Sequence, residues 1–175
     1  MAFTDPPTFT DNSRFSKTEA NTYLRDNLEA LKNPPTAAYI AASHSSDYST
    51  TSTSFTDVDS TNMALTITTT GDGNGGNGDV MIGFCGTLYS SSSIRIYFRL
   101  LEDGSTLNID GDGFLVSEAS GTRAVSFMFL RANATAAEHT YKLQWKVSSG
   151  TGVLLANAGT STRDCRSQFW VREMS

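Results

Sequence analysis

Histidine is the side chain whose ordinary pKa lies nearest neutrality, so a search for chemistry starts at His44 and His139. His44 lies three residues before Asp47 in a Ser-rich stretch, and His139 follows Glu138 where a strand begins. A nucleophilic triad needs a Ser or Cys, an imidazole and a carboxylate converging in space. Ser and Asp are so frequent here that nearness to a histidine along the chain carries no information. The Gly-x-Ser-x-Gly elbow, the His-Glu-x-x-His zinc helix and the Walker-type glycine loop are absent. Two histidines without paired cysteines supply no zinc set. The residues point to a protein that is not an enzyme and needs no cofactor.

Two stretches are rich in oxygen ligands, Gly71-Asp72-Gly73-Asn74-Gly75-Gly76-Asn77-Gly78-Asp79 and Asp110-Gly111-Asp112-Gly113. Calcium takes about six to eight oxygen ligands, which makes Asp72, Asp79, Asp110 and Asp112 its candidates. Neither stretch closes with the glutamate of a calcium loop. The plainer reading is turns, in which Gly supplies positive φ and Asp or Asn bonds its own backbone. No helix follows these glycines, so they cradle no phosphate. Asn133-Ala134-Thr135 is a glycosylation sequon in form only, since nothing points to a secreted eukaryotic chain. Tyr89, Tyr97 and Trp170 could stack on a sugar ring or sit in a subunit contact.

A length of 175 residues suits one ordinary domain, or one domain with an appendage. Eighteen acidic against thirteen basic residues, a net charge of -5, exclude a protein built to hold nucleic acid. Ser, Thr, Gly, Asn and Asp fill the space left by few charged and apolar residues, the composition of a β-protein with polar turns. Met1-Ala2-Phe3-Thr4-Asp5-Pro6-Pro7 has neither the basic start nor the apolar run of a secretory signal. No apolar stretch approaches the ~18 residues of a membrane span. The expectation is a protein made in the cytoplasm, with no membrane. Cys85 and Cys165 read as free thiols, although the sequence leaves open whether they pair.

The elements follow from two periodicities. Ser16-Lys17-Thr18-Glu19 is a capping box, and behind it Ala20, Leu24, Leu28 and Leu31 share one face. This predicts a helix over roughly Lys17 to Lys32, stopped by Asn33-Pro34-Pro35. So short a helix is marginal alone, and its Leu stripe must cover its own domain, a partner or copies of itself. From about Ser54 the period is two. Val80, Ile82 and Phe84 alternate with Met81, Gly83 and Cys85; Ile94, Ile96, Phe98 and Leu100 alternate with Arg95, Tyr97 and Arg99. Tyr141, Leu143, Trp145 and Val147 alternate with Lys142, Gln144 and Lys146. About nine short strands predict a mainly β chain, an antiparallel jelly-roll-like sandwich with an N-terminal arm and one short helix. The expected division is 1–35 for the arm and docking helix, 36–53 for a linker and 54–175 for the sandwich.

Val125-Ser126-Phe127-Met128-Phe129-Leu130 and Phe169-Trp170-Val171-Arg172-Glu173-Met174 carry large residues on both faces. A two-layer sandwich buries one face of each sheet, so the second face needs its own cover. The expected subunit interface is therefore Val125, Phe127, Phe129, Phe169, Trp170 and Val171.

The run Glu138-His139-Thr140-Tyr141-Lys142-Leu143-Gln144-Trp145-Lys146, leading to Phe169-Trp170-Val171-Arg172-Glu173-Met174, resembles the C-terminal jelly-roll domains of bacteriophage fibre and tail proteins. Those domains are similar in architecture to the C1q and tumour-necrosis-factor group. Asn21-Thr22-Tyr23-Leu24-Arg25-Asp26-Asn27-Leu28-Glu29-Ala30-Leu31 resembles the helical segment that precedes such domains. The resemblance implies a homotrimeric virion protein with no catalytic role. Tyr23, Leu24, Leu28 and Leu31 would dock it to other virion proteins. Fibre, tail and capsid decoration roles all remain open, as does a free lectin-like module. If a ligand binds, the loops Gly71–Asp79, Glu102–Ser105 and Asp110–Gly113 are expected at an outward tip meeting a host cell-surface glycan, with or without a divalent cation.

Overall fold

The computed structural model describes residues 16–26, 28, 36–40, 46–71, 76–107, 112–156 and 166–174. It is mainly β and antiparallel, a single sheet curled into a sandwich, with one short helical segment. Ser16 caps that segment: its Oγ accepts from the Glu19 N–H (3.2 Å), and its own N–H donates to Glu19 Oε2 (2.7 Å). The capping box thus starts the helix where the sequence places it. α1 runs over Lys17–Ala20 and widens into a π-helical turn, Asn21–Asp26. Leu24 and Leu28 are 57% and 65% exposed, so the stripe is not covered by its own sandwich. The Tyr23 side chain, Leu31 and the Pro-Pro stop lie outside the described residues. No helix among the described residues is long and apolar enough to cross a membrane.

The strands are β1 Thr36–Ile40, β2 Tyr48–Thr50, β3 Thr56–Asp57, β4 Ala64–Thr68, β5 Gly78–Glu102, β6 Ser105–Thr106, β7 Leu115–Ala134, β8 Glu138–Val147, β9 Gly152–Leu155 and β10 Gln168–Glu173. The stretch expected to be a linker, 36–53, therefore holds two strands. β1 lies along β10, from Thr36 opposite Arg172 to Ile40 opposite Gln168, and β2 pairs with β9. Both are short, Ser/Thr/Ala-rich edge strands, and three to five residues are too few to show a period. The Tyr48 hydroxyl donates to Asp59 Oδ2 at 2.6 Å, tying β2 to the following turn. Burial alone would raise the Asp59 pKa. The N–H groups of Asn62 and Thr61, the Asn62 amide and the Tyr48 hydroxyl outweigh that and hold it at about 2.

A second difference concerns strand length. The alternating runs Val80–Cys85 and Ile94–Leu100 lie on one 25-residue strand, β5, and the two-sided run Val125–Leu130 lies within the 20-residue β7. Ser90 to Ser93, whose composition would suit a turn, instead hold a bulge. Ser90 faces Gly121 and Ile94 faces Ala119, so Ser91 to Ser93 bulge opposite the single residue Ser120. Gly121, at φ 76, takes the left-handed conformation that lets β7 bend there too.

β5 and β7 form one long ladder. The other edge of β5 hosts β10 along its first part, β9 at Thr87–Tyr89 and β8 from Ile96 onward. One layer is accordingly β1–β10–β5–β7. The other joins β3 and β4 through β8 to the far halves of β5 and β7. β4 lies against β1 and β10, which closes the sandwich. The alternating sets fill its interior: Val80, Ile82, Phe84, Ile96, Phe98, Leu100, Tyr141, Leu143, Trp145 and Val147 are at most 2% exposed. The Phe98 ring stacks 6.5 Å from Trp145 and lies 5.7 Å from Phe84.

One buried carboxylate fixes the end of the chain. Glu173 is fully buried and accepts from the Thr70 N–H, the Thr70 hydroxyl (3.0 Å) and the Gly71 N–H (2.8 Å). Gly71 sits at φ 71, and a Cβ there would come 2.1 Å from the Gly76 carbonyl oxygen. Glu173→Ala orphans the buried Gly71 N–H and the half-buried donors of Thr70 and should cost about 3 kcal/mol of unfolding free energy. Glu173→Gln, which keeps an acceptor, should cost clearly less. Denaturant titration of both variants checks this, and equal losses would contradict the acceptor argument.

Candidate functional site

The outer face of the β1–β10–β5–β7 layer is apolar. Its register builds rows across the strands: Trp170, Gly83, Met128 in one, and Thr36, Arg172, Met81, Leu130 beside it. Met128 is 74% exposed, and Leu130 and Met174 are each 52% exposed. The Trp170 indole lies flat across Gly83, where a Cβ would come within 2.2 Å of Cε2 and Cζ2. Only glycine lets the ring lie down there. On one side of the indole is a groove of about 470 Å3, walled by Thr36, Met81, Met128, Arg172 and Met174. On the other is one of about 500 Å3, walled by Phe84, Cys85, Ser126, Phe127 and Met128.

The opposite outer face is closed by its own polar groups. Arg99 Nε donates to Gln144 Oε1 (2.7 Å), and Gln144 Nε2 donates to Asp57 Oδ1 (2.6 Å). The Arg99 guanidinium and Lys146 ammonium lie 4.4 and 4.8 Å from the Phe55 ring centre. Lys146 also stands 4.9 Å from the Tyr97 ring, covering an aromatic that the sequence offered for sugar stacking. The two faces differ in kind.

The strands expected at a subunit contact do form the apolar face, but most of the residues named for it point the other way. Phe169 and Val171 are fully buried and Val125 is 7% exposed. Phe127 and Phe129 pack inward on the core, with Phe127 at 5.6 Å from Phe84 and 4.7 Å from Phe114. Of the six, Trp170 alone faces outward. Its companions there are Met81, Met128, Leu130 and Met174, of opposite parity to the phenylalanines. The aromatics go inside because they remove the most apolar area from water. The sequence shows that both sides of these strands are apolar, and the bulkier side, apart from Trp170, is the one that enters the core.

The polar candidates are held individually. Asp79 Oδ1 accepts from the Asn133 N–H (3.0 Å), and Asp112 pairs with Lys146 (2.8 Å). Asp72, Asp110, His44 and Cys165 lie outside the described residues. Among the described residues no three of His, Cys, Asp and Glu come together as a metal group. Of the loop Gly71–Asp79, Gly71 and Gly78 are buried, Asn77 and Asp79 are exposed, and residues 72–75 lie outside the described residues. Cys85 is an exposed free thiol on the apolar face.

His139 stands between Asp103 and Thr135 at triad-like distances. Nδ1 lies 2.8 Å from Asp103 Oδ2, and Nε2 lies 3.1 Å from Thr135 Oγ1 and 2.9 Å from the Thr135 carbonyl. The carbonyl only accepts, so Nε2 carries a proton in this arrangement and has no lone pair for the hydroxyl proton. In this arrangement the His-Asp pair links two turns and does not accept the hydroxyl proton.

Gly83→Ala should expel the Trp170 indole from its seat, costing about 1–3 kcal/mol. Met128→Ala, on the open surface, should change stability by less than about 0.5 kcal/mol. Tryptophan fluorescence and denaturant titration read both effects, and an unchanged Trp170 emission in Gly83→Ala would contradict the seating. No protein-family model and no curated protein matches the chain.

Proposed function

We propose that the chain is a non-enzymatic structural protein of a bacteriophage virion. It is a homotrimer, fixed to the particle by its N-terminal segment and presenting the sandwich outward in a fibre or tail that meets the host. The observation that carries this reading is the uncovered apolar face around Trp170, Met128 and Leu130, which in water calls for a protein cover. The exposed Leu24 and Leu28 stripe supports it, because an apolar helix face outside the sandwich is a grip with nothing in its grasp. The resemblance to trimeric phage domains supplies the kind of assembly. A capsid decoration protein would use the same two surfaces at another place on the particle. A free carbohydrate-binding module fits less well, since Tyr97 lies under Lys146 and Trp170 lies flat on its own sheet.

Sedimentation equilibrium of the full chain should give the mass of three copies at micromolar concentration. Met128→Asp combined with Leu130→Asp should leave a folded monomer, because charge in the middle of an apolar contact is strongly unfavourable. Leu24→Asp with Leu28→Asp should leave the trimer intact but keep the protein out of particles. A monomeric wild-type chain would overturn the trimer, and normal particle incorporation of the helix variant would overturn the docking.

A further inference from the structure

His139 is buried at the junction of two turns. On one side is the β5–β6 turn, where Asp103 (φ 51) and Gly104 (φ 82) both take left-handed conformations, the geometry of a tight hairpin. Asp103 is held to β8 twice more. Its Oδ1 accepts from the Thr140 N–H (2.8 Å), and its own N–H donates to the Thr140 carbonyl (2.9 Å). On the other side is the β7–β8 turn, where the Ala137 N–H donates to Thr69 Oγ1 (3.2 Å) and the Thr69 N–H donates to the Ala137 carbonyl (2.9 Å). The imidazole spans the gap, with Nδ1 on the Asp103 carboxylate and Nε2 on the Thr135 carbonyl. Both partners only accept, so both nitrogens must donate.

We propose that His139 is a pH-operated latch between these two turns, closed as the imidazolium and loosened as the neutral ring. A neutral ring keeps one N–H and turns a lone pair toward either the carboxylate or the carbonyl. The Thr135 hydroxyl can rotate to donate to Nε2, so the carbonyl contact is the one given up. The charged surroundings favour the closed state. Glu102 Oε1 stands 3.9 Å from Nδ1, held by the Tyr141 hydroxyl (2.9 Å), while Arg131 Nε binds Glu102 Oε2 (2.9 Å). Glu138 precedes the ring and is exposed, and β4 opposes it with the apolar Ile67. Burial alone would lower the His139 pKa. The Asp103 bond, the Thr135 carbonyl and the charges of Asp103 and Glu102 outweigh it and raise the value above 6.5. A raised folded-state pKa means that the contribution is full below about pH 6.5 and is lost as pH rises through the folded value.

The latch is independent of the trimer and of any virion role. NMR of the full chain reads it directly, with His44→Gln separating the two histidines. The His139 ring should titrate above 6.5 with both nitrogens protonated below that. Amide exchange at Asp103–Ser105 and Thr135–Ala137, corrected for intrinsic rates, should speed up about tenfold between about pH 6 and about pH 8.5. His139→Gln should abolish this response. Asp103→Asn keeps a residue that tolerates the left-handed turn, and should lower the His139 pKa and move the loosening to lower pH. A His139 titration at or below 6.5, or the same exchange response in His139→Gln or an unshifted one in Asp103→Asn, overturns the proposal.

Discussion

The pairing of β5 with β7 is the constraint on which the rest of the sandwich is hung. From Gly78 opposite Ala134 to Phe98 opposite Leu115 the two strands stay in contact across both layers. That leaves β5 one free edge, and three strands share it in turn: β10, β9 and β8. Each partner's register, and so which of its side chains face inward, follows from where it meets β5. A slip between β5 and β7 would turn the whole interior outward. The irregularities at Ser90–Ile94 and Asn133 therefore matter as much as the regular pairing, because they bend the ladder without losing its parity. On β5 the even-numbered residues from Gly78 to Ser90 and from Ile94 to Leu100 point inward, apart from the half-buried Gly86.

The same ladder explains why an apolar face is left over. The inner row of the first layer is filled by Phe84, Phe127, Phe129, Phe169 and Val171, packed with Phe114 and Phe98. The outer row then holds Met81, Met128, Leu130 and Trp170, which nothing in the fold requires to be apolar. Charged residues there would leave the interior unchanged and would keep the edge strand β7 from pairing with strangers. The second layer shows that alternative, with Arg99, Gln144, Lys142 and Asp57 on its outer face. The two faces thus differ in chemistry although the same alternation builds both, and it is this difference that the proposed assembly rests on.

Much of this was legible in the residues. The 3.6 period before Pro34, the capping box at Ser16 and the alternations at Ile94–Leu100 and Tyr141–Val147 identify the helix start, the strands and much of the core. Period two cannot say whether two strands are one. Ser90 to Ser93 carry the composition of a turn, and only the presence of Gly121 opposite tells a bulge from a hairpin. Nor does it say which face of a two-sided strand is inner. Val125, Phe127 and Phe129 compete with Met128 and Leu130 for the interior, and the packing of Phe84 and Phe114 decides between them. β1 and β2 show no period because an edge strand of three to five residues gains its order from its neighbour.

Polar groups do the remaining work of fixing one end of the sandwich, where glycine and serine suggested loose loops. The β4–β5 connection is gripped by separate elements: Thr69 bonds the β7–β8 turn, and Thr70 and Gly71 bond Glu173 of β10. Asp79, at the start of β5, bonds the Asn133 N–H through its side chain and the Met174 N–H through its carbonyl. Among the described residues, Ser167 Oγ is the one buried side-chain oxygen or nitrogen without a partner. A buried carboxylate and a buried imidazole are tolerable here because their hydrogen-bond demands are met, the first by the N–H groups of Thr70 and Gly71 and the Thr70 hydroxyl, the second by the Asp103 carboxylate and the Thr135 carbonyl. The cost of that arrangement is rigidity of register. Moving β10 by one residue would withdraw Glu173 from Thr70 and Gly71, and it would carry Trp170 off Gly83. The polar end of the first layer therefore sets the alignment on which its apolar face depends.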